Sequence, residues 1–459
     1  MSELTVETTA IPGMIVLRLP VHHDSRGWFK ESWQREKMLA LGLPDFGPVQ
    51  QNISFNERRG VTRGIHAEPW DKLVSLATGR GFGAWVDLRE GSQFGTVVTI
   101  ELDPSVAVFV PRGVGNSYQA LEDGTAYSYL VNDHWSANGQ YVAIDLGDPA
   151  VGVPWPIPLA KADISDKDRQ NPRLSHASPM PPPGVLILGS GGQLARALSQ
   201  VFPKARTAGL RDLDITDRDA LEAWSWSDFD VVINAAAWTD VDGAESLSGR
   251  QQAWQTNAQG PAHLARLATK HRFTLVHYST DYVFDGTRPE HTEDEPMSPL
   301  GAYGQSKAAG DLAVLNTPRH YLLRTSWLVG EGKNFVATMS ALARRGTSPQ
   351  VVDDQHGRLT FSLELARATK HLLDVSAPCG TYNVTNAGPV MSWAEVARQV
   401  FALCGRDPGD VVPISTEQYA SGRSPAPRPH HGGLHLAKLR GTGFEPESAA
   451  TALERYLST

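Results

Sequence analysis

PMPPPGVLILGSGGQL, residues Pro179 to Leu194, is where the chain restarts. A run of prolines leads into Val185–Leu188, an apolar stretch of the kind that forms a buried parallel strand, and Gly189, Gly191 and Gly192 follow directly. Glycines so placed make a turn tight enough to bring backbone N–H groups against a pyrophosphate. A turn of this kind opens a domain, so a complete domain is expected before it. The sequence predicts a first domain over 1–175, an extended proline-rich linker over 176–183, and a second domain over 184–459.

The two sides of that boundary differ in rhythm. Before it, runs rich in Val, Ile, Phe, Trp and Tyr at 83–88, 97–102, 106–111 and 127–131 are separated by Gly, Asp, Asn and Pro. That spacing predicts an all-β antiparallel barrel or jelly roll. After it, apolar runs at 231–233, 275–278 and 321–323 alternate with Ala-rich helical stretches, the pattern of a Rossmann-type α/β fold with a parallel sheet.

Composition narrows the function classes. The balance of 42 basic against 50 acidic residues, with no basic run, argues against a nucleic-acid partner. Cys379 and Cys404 are too few and too far apart for a disulfide framework or a zinc site and fit a reducing cytoplasm. No apolar run approaches the roughly 18 residues of a membrane span, and the N-terminus lacks a basic segment followed by an apolar one. Neither export nor membrane association is expected.

In the second half, Tyr303 and Lys307 stand four apart in AYGQSKAAGDLAV, so a helix puts both on one face. The lysine cation is expected to lower the phenol's pKa, letting Tyr303 pass a proton to an alkoxide as hydride reaches a carbonyl carbon. By itself the pair is a common surface pattern. Its weight comes from the glycine turn upstream and from HYSTDYVFDG, in which Ser279 and Thr280 close an apolar strand at the carboxyl edge of the sheet.

With GSGGQL at Gly189, DIT at Asp214, NAAAWTDVDGAE at Asn234, STDYVFDG at Ser279, YGQSK at Tyr303, RTSWLVG at Arg324, NF at Asn334 and DDQHGRLT at Asp353, residues 184–459 resemble the dTDP-4-dehydrorhamnose reductases, extended short-chain dehydrogenases with a C-terminal substrate-binding subdomain. The resemblance implies Thr280, Tyr303 and Lys307 as the catalytic set, Thr280 polarising a C4 ketone. It puts Gly189, Gly191, Gly192, Gln193 and Leu194 at the pyrophosphate, Asp214 and Ile215 at the adenosine, and Ala235, Ala236 and Ala237 along the nicotinamide path. Trp327, Asn334 and Arg428 match positions near a sugar nucleotide. NADPH or NADH is the implied hydride donor; Asp212 and Asp214 beside Arg206 and Arg211 leave the choice open, as a Mg2+ requirement of this half is left open. Leu359 and Gly432 depart from the proline and serine usual in the family, and both are expected to affect substrate detail.

The first half carries DSRGWFKE at Asp24, RGIHAEPWDKLV at Arg63, VDLREGSQFG at Val86, DPAVGVPWP at Asp148 and DISDKD at Asp163. In that order these blocks resemble the dTDP-4-dehydrorhamnose 3,5-epimerases, cupin-fold enzymes, over roughly Val6 to Leu174. The resemblance implies His66 as general base held by Asp168, Lys72 as the cation beside the C4 oxygen, and Tyr129 as the acid on the opposite face. Arg26 and Arg63 match positions that grip a diphosphate, and Glu31, Gln51, Asn52, Asn116 and Trp135 match further substrate positions. Asn116 replaces a usual histidine, and Trp135 a usual tyrosine. No His-x-His plus Glu cluster is present, so no metal is expected.

Both halves need the same ketone: C4=O acidifies C3 and C5, and reduction then removes it. The expected function is bifunctional dTDP-L-rhamnose synthesis, 3,5-epimerisation of dTDP-4-dehydro-6-deoxy-D-glucose followed by NAD(P)H-dependent reduction, in a cytoplasmic homodimer paired through the cupin domain. Two alternatives stand beside it. The altered cupin could epimerise one centre only, giving another dTDP- or UDP-linked 6-deoxy sugar, or it could be a non-catalytic binding or dimerisation module.

Overall fold

The structure is a computed structural model and describes residues 4–135, 139–182, 184–422 and 424–458, with only the backbone of 227. The chain divides into two compact units, Met1–Pro182 and Pro183–Thr459.

The first unit is a cupin-type β sandwich of two antiparallel sheets. One has the strand order Thr5–Thr8, Ile15–Arg18, Val106–Val110, Lys72–Thr78, Thr125–Val131, Gln50–Asn56; the other runs Val142–Ala143, Thr62–Ala67, Val114–Ala120, Gly81–Asp87, Val97–Leu102. Val106–Val110 shows why a continuous apolar run becomes a strand here. Val106, Val108 and Val110 enter the core between the sheets with Val74, Trp85 and Tyr127, while Ala107 and Phe109 face outward into a second cluster with Leu17, Met38 and Phe46. Met38 lies on the short helix Arg35–Ala40, so both faces of the strand are covered.

The stretch expected to be a linker is in part structured. Met180 is buried; its N–H bonds the Leu88 carbonyl (2.7 Å) and its carbonyl accepts from Glu90 N (2.8 Å). The Pro181 carbonyl accepts from Arg112 Nη1 at 2.8 Å, so packing of the first unit reaches at least that residue; Pro183 lies outside the described residues.

The second unit is a Rossmann-type α/β fold. Six parallel strands run in the order Arg206–Ala208, Gly184–Leu188, Phe229–Asn234, Thr274–Thr280, His320–Thr325, Gly380–Asn383. Successive residues of one strand serve opposite faces: Leu186 and Leu188 pack with Leu264 and Phe273, and Ile187 with Leu198 and Leu365. A third core, with Val336, Leu359, Val400 and Leu453, belongs to the C-terminal subdomain. Leu359 is therefore a core residue, its carbonyl accepting from Asn386 N (3.3 Å). Among the described residues no helix is long and apolar enough to cross a membrane.

Candidate active sites

In the first unit, His66 lies on the strand Thr62–Ala67, and its Nε2 is 2.7 Å from Asp168 Oδ1. Asp168 is buried on a one-turn helix, Asp166–Arg169, whose N-cap Ser165 accepts from the Asp168 N–H (3.1 Å). Its second oxygen faces the Gly64 N–H at 3.5 Å. Gly64 is required at this point: φ is +123°, and a Cβ there would stand 2.3 Å from Ser117 Cβ and 2.8 Å from the Asn116 carbonyl. The His66 side chain is 37 % exposed, open to a substrate, against 6 % for Asp168.

Across the sandwich, Lys72 and Tyr129 come from neighbouring strands of the six-stranded sheet, the ammonium 5.9 Å from the phenol ring centroid. Lys72 is buried and paired with Glu68; burial holds its pKa down, and the Glu68 carboxylate opposes this. The Tyr129 phenol is pushed up by burial and then by Glu68, which keeps it a neutral acid. Asn116, directly opposite His66 in the ladder, accepts through Oδ1 from Tyr127 Oη (2.7 Å) and Trp85 Nε1 (3.0 Å). That bond to Tyr127, on the facing sheet, sets Asn116 and its neighbour His66 toward the interior. His66 and Tyr129 thus hang from opposite sheets.

Arg63 bonds Asn56 Oδ1 (3.3 Å), which also takes the Tyr118 hydroxyl (3.2 Å), and Asn52 pairs directly with Tyr129, so both lie with this cluster. Gln51 does not. Strand alternation turns it to the outer face, where its amide bonds Ser128 Oγ (3.2 Å). Arg26 and Glu31 also stand apart from His66: Arg26 is in the turn between the strands Val21–Asp24 and Gly27–Lys30, bonded to Asp24, and Glu31 pairs with Lys37 (2.8 Å). Trp135 is 72 % exposed. Glu68, absent from the sequence-derived set, sits inside the RGIHAEPWDKLV block, four residues before Lys72.

In the second unit, the glycine turn fits a dinucleotide. Gly189 has φ +82°, and a Cβ there would meet Ala236 N at 2.6 Å, so the turn lies against Ala235 and Ala236. A Cβ on Gly191 would meet nothing within 4 Å, and the helix Gln193–Val201 has no side-chain cap, leaving its first N–H groups to an anion. Leu194 is a core residue and could serve the pyrophosphate only through its backbone. Asp214 accepts from Thr216 N (2.9 Å) and Oγ1 (2.8 Å), and Ile215 is buried against Gly260. Ala237 is exposed at the mouth of the turn.

Thr280 ends the strand Thr274–Thr280, and Tyr303 and Lys307 share the face of the helix Ala302–Leu315 that packs on it. Lys307 Nζ donates to the Tyr278 carbonyl (2.6 Å) and lies 3.4 Å from His277 Nε2. Burial pulls this ammonium down to about 8, with Asp311 opposing. The Tyr303 phenol is not lowered, as the spacing suggested, but raised: burial dominates, Asp281 and Tyr282 add to it, and the Thr280 hydrogen bond opposes. A raised phenol is a protonated one, which suits a donor to an alkoxide.

Arg428 pairs with Asp242 (2.9 Å) beside a cleft lined by Tyr282, Tyr303, Pro427 and Pro429. Trp327 stacks on Trp393 with centroids 3.6 Å apart. Asn334, expected near the sugar nucleotide, is engaged as a helix cap: Oδ1 accepts from Ala337 N (2.8 Å), and Nδ2 bonds the Gly330 carbonyl (2.7 Å) and Tyr456 Oη (2.9 Å). Among the described residues no group of three or more His, Cys, Asp or Glu is placed to hold a metal ion.

Residues 184–459 match the family model described as RmlD substrate binding domain, and residues 8–176 the model for dTDP-4-dehydrorhamnose 3,5-epimerase. The first half is similar to an RmlC homologue of Streptococcus pyogenes, 46% identical over 38% of this chain and 92% of that protein. The second is similar to a dTDP-4-dehydrorhamnose reductase of Streptomyces griseus, 40% identical over 59% of this chain and 91% of that protein. A solved dTDP-4-dehydrorhamnose reductase of Bacillus anthracis in complex with NADP aligns with a TM-score of 0.56 at 33% identity, covering 60% of this chain and 99% of that one.

Proposed function

The chain belongs to the RmlD substrate binding domain family through residues 184–459 and to the dTDP-4-dehydrorhamnose 3,5-epimerases through residues 8–176, and from that premise we propose that it converts dTDP-4-dehydro-6-deoxy-D-glucose to dTDP-L-rhamnose. The first unit epimerises C3 and C5; the second reduces the C4 ketone. The observation that carries this is the placement of His66 and the Lys72–Tyr129 pair on opposite sheets, because inverting a carbon needs a base on one face and an acid on the other.

His66, held by Asp168, takes the proton alpha to the ketone. The buried Lys72 ammonium stabilises the charge that develops on the C4 oxygen, where low dielectric makes it effective. Tyr129 returns a proton from the other side; His66 then releases the proton it took to solvent, and Tyr129 regains one from solvent. In the second unit, bound NAD(P)H supplies hydride to C4. Thr280 polarises the carbonyl and Tyr303 protonates the resulting alkoxide.

NADPH is the proposed donor. Asp212 is tied to the Gly209 N–H (2.8 Å) and Asp214 to Thr216, which leaves the exposed Arg211 to meet a 2'-phosphate. The proposed assembly is a cytoplasmic homodimer through the first unit. Ile53 and Phe55 stand 62 % and 61 % exposed on the outer face of Gln50–Asn56, an edge strand, where apolar side chains invite a second copy. Arg26 and Glu31 would then reach a diphosphate only across such an interface.

Separating the chain after Pro182, rather than within the packed 176–181 stretch, tests both the division and the two activities. Fragment 1–182 is expected to be dimeric and to exchange the sugar's hydrogens with solvent; fragment 183–459 is expected to oxidise NADPH only with the epimerised 4-keto sugar. A monomeric first fragment would contradict the dimer, and a first fragment inert in exchange would favour a non-catalytic module.

A further inference from the structure

Asp281 follows Thr280 directly and lies at the bottom of the reductase site, 2 % exposed. One carboxyl oxygen, Oδ1, is 2.9 Å from Thr280 Oγ1. The other, Oδ2, is buried and has no hydrogen-bond partner. It faces Gly432, where a Cβ would stand only 2.3 Å away, so the loop wall closest to this oxygen carries no side chain that could donate to it. Among the described residues Asp281 makes no ion pair.

The Thr280 hydroxyl has one proton and two lone pairs. The Tyr282 N–H occupies one lone pair at 3.2 Å. While Asp281 is a carboxylate it can only accept, so it draws the Thr280 proton toward itself and leaves a lone pair that takes the neighbouring Tyr303 hydroxyl instead of a proton for the substrate. A ketone oxygen needs a donor there. A carboxylic acid in the same place reverses the arrangement: it gives its own proton to the second lone pair of Thr280, whose hydrogen is then free to point outward.

We propose that Asp281 is a positioning residue of the reductase site, its carboxyl O–H donating to Thr280 Oγ1 and so turning the Thr280 proton toward the C4 oxygen. This rests on the reductase reading of the second unit. Burial supports it, because it pushes the Asp281 carboxyl up to about 7, with the Thr280 bond opposing. The titratable groups around it bring no compensating cation. They are Tyr282 beside it, Tyr303 on the helix, Arg428 already paired with Asp242, and His356 and His431 on the loops around Gly432.

The test is the pH profile of kcat for NADPH-dependent reduction by the full chain, given the epimerised 4-keto sugar nucleotide. In the unmodified chain kcat is expected to fall as pH rises through about 7, where Asp281 ionises, and again near 8, where Lys307 loses its proton. Asp281→Ala should lower kcat at pH 6 by about 10-fold, the usual cost of one hydrogen bond to a reacting group, with KM for NADPH unchanged. Asp281→Asn, whose amide N–H replaces the acid O–H, should recover most of that loss and lack the fall near 7 while keeping the later one. An asparagine variant with the wild-type profile overturns the proposal, as does an alanine variant with the wild-type kcat at pH 6. Absence of NADPH oxidation by the wild-type chain would instead overturn the reductase reading itself.

Discussion

Replacing His66 with alanine is expected to cut solvent deuterium uptake at C3 and C5 by about 10²- to 10⁴-fold, the range lost with a general base. Geometry is the reason for expecting a loss this large. His66 has its Nε2 within 2.7 Å of a buried carboxylate, and the acid stands on the other sheet and cannot substitute for it. Reduction of already epimerised substrate should stay near the wild-type rate, because Thr280, Tyr303 and Lys307 all belong to the other unit. Proton exchange by NMR and NADPH oxidation by absorbance separate the two outcomes. Undiminished exchange would remove His66 from the role of base.

Tyr303→Phe is expected to have the reciprocal effect. Losing the phenol removes the proton donor for the nascent alkoxide, at a cost of about 10²- to 10⁴-fold in kcat, or roughly 3–5 kcal/mol of barrier. Deuterium uptake should continue, and the keto sugar should accumulate in its epimerised form. The ring remains in the phenylalanine variant, so the wall of the cleft shared with Tyr282 and Pro429 is kept and the loss reports the proton alone. A variant reducing at the wild-type rate would make Tyr303 a structural residue of the helix.

Much of this was legible in the sequence, for identifiable reasons. Parallel strands buried on both faces leave unbroken apolar runs, so Val185–Leu188 and Leu275–Tyr278 fall within the observed strands. The spacing of Tyr303 and Lys307 put both on one helical face correctly. It could not reveal that Lys307 would be drawn to the Tyr278 carbonyl, or that burial would raise the phenol, because those depend on neighbours distant in sequence. Gln51 and Asn52 both match substrate positions in the resemblance, yet a period of two sends them to opposite faces of the sheet. Asn334 looked like a ligand residue because a motif does not show which of its bonds a helix N-terminus will take. Asp281 carried a readable signal, a single acid between the proposed catalytic threonine and the apolar YVF, but only the structure places Gly432 against it.

One chain, one ketone and a fixed order of two reactions is the central claim. Its most direct test is to incubate the intact chain with dTDP-4-dehydro-6-deoxy-D-glucose and NADPH in D2O and to locate deuterium in the reduced sugar. The account predicts dTDP-L-rhamnose bearing solvent deuterium at both C3 and C5, with one NADPH oxidised per sugar. A reduced sugar labelled at a single carbon, or at neither, would contradict it.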